Sequence, residues 1–210
     1  MTEVPLGHPG PADQAESWPV TESQDLHRDQ WVVALRSDTL HRPDHPDDRF
    51  SRLVLEHPGA VMVLAVDDRE RVVVLRQYRH PVEARLVELP AGLLDVAGED
   101  PVLAAQRELL EETALRAGRW EHLLTTYSSP GISQERYTTY LATDLEPADR
   151  GDFEPEHEEA EMSVERVPMT ELLDAVLDGR VRDSPLVTAV LAYEVIRCRR
   201  SPGLGRDRTE

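Results

Sequence analysis

Residues 92–115 constrain the fold and the chemistry of this chain more than any other stretch. They read GLLDVAGEDPVLAAQRELLEETAL, a glycine loop followed by a mixed apolar and charged run. Asp100 is a suitable helix N-cap, and Pro101 suits a first helical turn because its missing N–H would be unpaired there. The pattern predicts a helix that starts at about residue 101 and carries the acidic run.

On that helix, Glu108, Glu111 and Glu112 stand at i, i+3 and i+4, so their carboxylates project from one face. Crowded carboxylates repel one another, and a divalent cation removes that cost. Hard oxygen ligands favour magnesium or manganese. Arg107, four residues before Glu111, can pair with it. The alternative is an ordinary solvated acidic helix face.

The same residues resemble the signature of the Nudix hydrolases, in which a glycine, a glutamate and an Arg-Glu-x-x-Glu-Glu run recur at fixed spacing. The matching positions are Gly92, Glu99, Arg107, Glu108, Leu109, Glu111, Glu112 and Leu115. The sequence departs twice from the signature. The loop carries one extra residue, near Ala97–Gly98, and Ala114 replaces the final glycine.

The resemblance implies an α/β/α sandwich with a mixed sheet and a Mg²⁺ or Mn²⁺ cofactor. It implies that Glu108 and Glu112 are direct metal ligands, together with the backbone oxygen of Ala91. Glu111 would be a bridging or outer carboxylate in catalysis.

Further segments resemble the ADP-ribose pyrophosphatase branch of the family, including that of actinomycetes. Pro130 follows Leu115 by 15 residues, as a proline does in that branch. The similar segments are LRQYRHPVEARLVELPAGLLD, SSPGISQERYTTYLA and HEEAEM. The resemblance implies hydrolysis of ADP-ribose to AMP and ribose 5-phosphate.

The general base is expected on the acidic run between residues 146 and 161. Glutamates that hold a metal are poor bases, so a separate carboxylate is preferable. In the resembled enzymes a glutamate of this loop serves as base or added metal ligand. We expect Glu158 in that role, and Glu159 after it. The alternative is a solvated acidic run. We expect the loop to order only with metal and substrate.

Substrate contacts follow from the resemblance as well. Arg79 corresponds to an arginine that binds the diphosphate, with a surface arginine as the alternative. Glu88 serves either substrate or structure. Trp31 and Phe50 fall where related enzymes place aromatics around adenine, often across a dimer interface, although packing is the alternative role. Glu135 is expected to reach the terminal ribose or a partner subunit.

Composition excludes some functions. The net charge of −18 disfavours binding to phosphate backbones of nucleic acids. The one cysteine permits no internal disulfide, which fits a cytoplasmic protein. The sequence contains no apolar run of about 18 residues, so no membrane span is predicted. The N-terminus lacks a signal pattern.

Alternation and turn residues indicate an α+β fold. We expect a mobile extension at 1–28, N-terminal strands at 29–57 swapped in a homodimer, a hydrolase domain at 58–200 and a frayed tail at 201–210. Strands are predicted at 31–35, 50–56, 60–66, 72–78, 86–89, 123–127, 136–143 and 162–167. The strands at 60–66 and 72–78 are expected to form a hairpin. Further helices are predicted at 171–178, capped by Thr170, and at 184–197.

Three other functions are compatible with the sequence. The chain could be a pyrophosphatase for another nucleoside-diphosphate sugar, with a small-molecule substrate of the same kind. It could be a catalytically inactive Nudix-like nucleotide sensor, although the complete glutamate cluster argues against that. It could also be an acidic interaction adaptor, which would show no stabilisation by cations.

Overall fold

The computed structural model of the chain describes residues 11–151 and 161–200. The predicted tail at 201–210 lies outside them. The strands are β1 (Val20–His27), β2 (Ala34–His41), β3 (Arg49–Glu56), β4 (Ala60–Ala65), β5 (Arg71–Arg79), β6 (Ala84–Glu88), β7 (Ala91–Leu93), β8 (Leu115–Tyr127), β9 (Arg136–Pro147) and β10 (Ser163–Pro168). The helices are α1 (Pro101–Thr113), α2 (Met169–Leu177) and α3 (Ser184–Arg200). No helix within these ranges is both long and apolar enough to cross a membrane.

The strands form three sheets, in the orders β1-β2-β3, β10-β5-β6 and β7-β4-β9-β8. β4 and β9 run parallel, whereas β4–β7 and β8–β9 are antiparallel, so the third sheet is mixed. The predicted α+β class is therefore confirmed.

β4 explains the layering of the fold. Its residues belong to apolar clusters on both faces of the strand: Val61 and Val63 pack with Ala105 of α1, whereas Leu64 packs with Leu186 of α3. Successive side chains of a strand point to opposite faces. A strand covered on both faces reads as a continuous apolar run, as AVMVLA does. The predicted α/β/α sandwich is the structure that results.

The prediction that strands 60–66 and 72–78 form a hairpin is wrong. β5 pairs with β6 and β10, and a single bridge between Val66 and Val72 links the ends of β4 and β5. Asp67 accepts hydrogen bonds from the amides of Arg69 and Arg71, at 2.9 and 3.0 Å, and so turns the chain sharply. Beyond this turn the two strands diverge into separate sheets, because each takes both of its neighbours from elsewhere in the chain.

The N-terminal region also differs from expectation. β1 lies within the segment predicted to be a mobile extension, and every residue of it is exposed. It was missed because neither of its faces is buried in this chain, so no alternation marks it. The strand expected at 31–35 begins later, at Ala34, because the Trp31 amide donates to the Asp29 side chain at 2.8 Å in a turn.

The start of α2 has a different cap from the predicted one. Pro168, and not Thr170, occupies the N-cap position, and no side chain caps the helix. The Met169 amide instead donates to the carbonyl of Glu70, at 2.8 Å. A tertiary contact therefore satisfies a backbone amide at the start of α2, where the sequence analysis predicted a local side-chain cap.

Helix α1 begins and ends as local chemistry requires. The Asp100 side chain accepts from the Val102 amide at 3.0 Å, which confirms the predicted N-cap. At the other end Ala114 adopts φ 53° and ψ 39°, the left-handed conformation, and its amide donates to Leu110. This conformation favours glycine because Cβ crowds the following carbonyl. The residue that departs from the Nudix signature therefore carries backbone strain.

Replacing Ala114 by glycine is expected to raise the free energy of unfolding by about 0.5–1 kcal/mol, since relief of strain outweighs the added chain entropy. Urea denaturation followed by circular dichroism measures this. Ala105→Gly, inside the same helix, is the control and should lower the free energy of unfolding by about 1 kcal/mol or more. Equal destabilisation by both variants would contradict the prediction.

Candidate active site

Arg107 organises the acidic face of α1. One of its terminal nitrogens donates to Glu108 at 2.7 Å and to Glu111 at 3.2 Å, which confirms the predicted i, i+4 pair. The rest of the guanidinium reaches Glu99 at 3.3 and 3.4 Å. The Glu99 hydrogen bonds are the largest cause that raises the pKa of Arg107, followed by the Glu108 charge, against the opposing effect of burial. One cation thus holds three carboxylates in a half-buried cluster.

Strand β7 supports the other side of this cluster. The Ala91 amide donates to Glu112 at 2.9 Å. Gly92, the next residue, lies directly beneath Glu108: a Cβ at that position would come within 1.9 Å of Oε1 and 2.3 Å of Cγ of Glu108. A side chain at residue 92 would therefore force the Glu108 side chain to move from its observed position.

The carboxylates fit a hard divalent cation by donor chemistry. Among residues 11–151 and 161–200, no group of three or more His, Cys, Asp or Glu side chains is arranged to hold a metal ion. In this geometry Glu108 is turned towards Arg107 and Glu112 towards the Ala91 amide. Each of these hydrogen bonds uses one carboxylate oxygen, and a carboxylate has two oxygens that can accept or coordinate.

Arg79 and Glu88 form a tight pair beside β7. The Arg79 Nε lies 2.9 and 3.1 Å from the two Glu88 oxygens, and Nη2 lies 2.6 Å from one of them. The Glu88 side chain is only 7% exposed, whereas that of Arg79 is 47% exposed. The Glu88 hydrogen bonds raise the pKa of Arg79, and the charges of Asp183 and Glu112 add to the effect. Glu88 therefore orients an arginine that remains accessible on one side.

Asp183 is a partly buried acid, acted on by the charge of Arg79, that the sequence analysis did not identify. It caps α3, where its carboxylate accepts from the Leu186 amide at 3.0 Å. Burial raises its pKa to about 6, the Leu186 hydrogen bond and the Arg79 charge oppose the rise, and Glu88 and Glu135 add to it. An aspartate directly before Ser-Pro at a helix start is an N-cap signal, but nothing local indicates its acidic neighbours.

The raised pKa predicts how Asp183→Asn changes stability with pH. The folded protein holds a proton on Asp183 between the ordinary pKa of 3.8 and about 6, where the unfolded chain does not. The resulting stabilisation is complete below pH 3.8 and is lost as pH rises through about 6. Asparagine does not titrate and caps helices equally well.

We expect Asp183→Asn to be about as stable as the wild type near pH 4 and more stable, by up to about 2–3 kcal/mol, at pH 8. Urea denaturation of both proteins from pH 4 to pH 8 measures the difference. A difference that does not change across this range would contradict the prediction.

The other residues predicted to bind substrate are Trp31, Phe50 and Glu135. Trp31 is 66% exposed, so it does not pack in the core. Phe50 contacts Trp18 edge-on, with ring centroids 6.3 Å apart, and the guanidinium carbon of Arg52 lies 4.5 Å from the centroid of the Phe50 ring. The structure therefore does not bring Trp31 and Phe50 together as an aromatic pair. Glu135 lies 3.8 Å from the His57 ring.

A cavity of about 470 Å³ is lined by Gln134 and Arg136, the chain neighbours of Glu135. Its lining includes His57, Tyr127, Pro130 and Arg136. Pro130, which marked the ADP-ribose branch in the sequence, thus lies at a concave surface.

Glu158 and Glu159 lie outside the described residues. The flanks of their segment are described. Arg150 donates to the backbone oxygen of Glu111 at 3.4 Å, and Arg85 donates to the backbone of Glu161 at 2.9 Å. The described residues on either side of this segment thus lie beside the end of α1 and beside β6.

Comparison with known proteins decides the family. The NUDIX domain profile matches residues 56–189. The chain belongs to the Nudix family. An ADP-ribose pyrophosphatase of Mycobacterium tuberculosis is 42% identical over 83% of this chain and 82% of its own length. A GDP-mannose pyrophosphatase of Cronobacter sakazakii is 30% identical over 70% of this chain and 80% of its own length.

A crystal structure of an ADP compounds hydrolase superposes with a TM-score of 0.72. It covers 90% of this chain and 99% of its own, at 21% identity, and so shows the shared fold. With the family match and the similarity to an ADP-ribose pyrophosphatase, this identifies the chain as a Nudix hydrolase.

Proposed function

We propose that this Nudix hydrolase cleaves the diphosphate of ADP-ribose to AMP and ribose 5-phosphate with Mg²⁺ or Mn²⁺. The observation that carries the proposal is the cluster of Glu108, Glu111 and Glu112, seated between Arg107 and β7. The 42% identity to an ADP-ribose pyrophosphatase supports the choice of substrate.

Each proposed role, in metal binding, substrate binding or proton transfer, follows from the chemistry of the residue. Glu108, Glu112 and the Ala91 carbonyl would hold the metal, and Glu111 would complete its surroundings. The bound metal supplies charge neutralisation and an acidified water. Arg79, oriented by buried Glu88, would bind the diphosphate, since a guanidinium fork matches phosphate oxygens. Glu158, or Glu159 after it, would accept the proton of the attacking water.

A substrate panel tests the proposal. The purified protein would be incubated with ADP-ribose, GDP-mannose and other nucleoside-diphosphate sugars, with and without Mg²⁺ or Mn²⁺, and the released nucleotide measured. We expect release of AMP from ADP-ribose only with a divalent cation. Preference for GDP-mannose would favour the second pyrophosphatase function, for which a 30% identical relative provides a precedent. Tight ADP-ribose binding with no release would indicate a nucleotide sensor.

The identity of the base is tested by Glu158→Gln. Because the variant keeps side-chain size and removes the proton acceptor, we expect kcat to fall by about 10²-fold or more with a smaller change in KM. Glu159→Gln is the matched variant from the same segment and should have the smaller effect. An unchanged kcat in Glu158→Gln would assign the base to another residue.

We also propose that the chain forms a homodimer through its N-terminal sheet. β1, Trp31 and Leu53 expose apolar side chains there, and Trp31 is 66% and Leu53 45% exposed. Apolar surface of this kind favours association. In the dimer Trp31 and Phe50 would come from different subunits to flank adenine, and Glu135 would reach the terminal ribose or the partner. Light scattering of the full-length protein should give twice the chain mass, and a monomer would exclude the arrangement.

A further inference from the structure

A second cavity, of about 410 Å³, lies between α3 and the middle of the β8–β9 pair, at the edge of the sheet. Leu123 and Leu141 in its lining pack with the cluster beneath α2 and α3. The cavity is thus on the face of the sheet opposite α1 and its carboxylates.

The sequence of α3 explains why this space stays open. One stripe of the helix faces the sheet along its whole length, at helical spacing. The N-terminal half of the stripe is apolar and fully buried at Leu186, Ala189 and Val190. Towards the C-terminus the same stripe carries Arg197 and Arg200, which line the cavity. Long charged side chains replace apolar ones at positions that would otherwise close the core.

The sheet contributes a third arginine. Arg119 of β8 lines the same cavity, where its charge helps to lower the pKa of Glu121, but within the described residues its side chain makes no hydrogen bond. Arg197 donates a hydrogen bond to Glu194 at 2.8 Å, and Arg200 donates one to Glu121 at 2.6 Å, each through one terminal nitrogen. A guanidinium has several N–H donors, so donors remain on each arginine.

Cations at a helix C-terminus are stabilised by the helix dipole, which accounts for Arg197 and Arg200 without a ligand. That explanation does not extend to Arg119, which comes from a strand. The lining holds three arginines and one glutamate, Glu121. Glu194 pairs with Arg197, and the charge of Glu70 also acts on it, so Arg119 is the arginine of the three that has no hydrogen-bonded carboxylate among the described residues. Its N–H donors are available to an anion in the cavity.

We propose that this cavity is a second binding site, separate from the catalytic one, for the phosphate group of a small organic phosphate. Guanidinium groups bind phosphate oxygens in bidentate fashion. The volume of about 410 Å³ lies within the range of small-molecule sites, about 300–1,000 Å³. Tyr193 and Ile196 offer an apolar wall for the organic part.

The test is a titration of the full-length protein with AMP and, separately, with inorganic phosphate, without divalent cations. The arginine Nε–H signals would be followed by NMR, with Arg79 as the marker of the catalytic site. We expect saturable shifts at Arg119 and Arg200. Arg119→Gln should weaken AMP binding reported by Arg200 about tenfold or more, because it removes charge-assisted hydrogen bonds.

Arg166→Gln is the matched control, because Arg166 is an exposed strand arginine with no recorded side-chain partner among the described residues. It should leave the affinity unchanged. AMP binding at least as tight as phosphate supports the proposal. Equal affinity in Arg119→Gln and the wild type, absence of saturable shifts at Arg119 and Arg200, or binding of inorganic phosphate alone would overturn it.

Discussion

Glu112→Gln is expected to lower kcat/KM for ADP-ribose by about 10³-fold or more while the protein stays folded. Glu112 lies on the acidic face of α1 and accepts a hydrogen bond from the Ala91 amide at 2.9 Å. Glutamine has the same size and can still accept that bond, so the contact with β7 survives. What the variant loses is the negative charge that would hold the cation.

Two measurements separate this loss from unfolding. Nucleotide release gives kcat/KM, and thermal denaturation with and without Mg²⁺ gives stability. The wild type should be stabilised by Mg²⁺, and Glu112→Gln should be stabilised much less. Glu171→Gln removes the same charge from the exposed first turn of α2 and should match the wild type in both measurements. Activity of Glu112→Gln within a few-fold of the wild type would mean that the metal ligands have been wrongly assigned.

Gly92→Ala is expected to lower kcat/KM by about 10²-fold, because a misplaced metal ligand costs rate even when its chemistry is intact. A Cβ on residue 92 would lie 1.9–2.3 Å from three atoms of the Glu108 side chain. The side chain must therefore leave its position, although the backbone at Gly92 has no need of a positive φ. Glu108 would rotate away from β7 and from the metal position.

A double-mutant cycle tests this explanation directly. If Gly92→Ala acts by displacing Glu108, it should have little further effect in a Glu108→Ala background, so the two changes would be strongly non-additive. Gly131→Ala is the control, because a Cβ there meets nothing within 4 Å. Full additivity of the two substitutions would show that Gly92 acts through the backbone or through stability, and not through Glu108.

Local pattern predicted much of the scaffold. The spacing of Glu108, Glu111 and Glu112 with the Asp100 cap located α1, and continuous apolar runs located β4 and β5. These signals work because helix and strand periods depend on neighbours within a few residues. The expected hairpin failed for the same reason, since the pattern identifies a buried strand but not its partners.

The site itself was only partly predictable. The resemblance led to Arg79 and Glu88 but not to their mutual pairing, and Asp183 was missed. The strand β1 left no pattern, because all of its side chains are exposed in this chain. Where both faces of a strand are equally exposed, apolar and polar residues do not alternate, and the sequence pattern does not predict the strand.

The sequence by itself determined a helix with three carboxylates on one face, the arginine that pairs with them, and the strands buried on both sides. Each of these depends on residues close together in the chain. Only the tertiary structure decided that Gly92 supports Glu108, that Asp183 joins the surroundings of Arg79, and that Arg119 meets Arg197 and Arg200 around a second cavity. Those positions lie far apart in sequence, and they meet because strand pairing and helix packing bring them together.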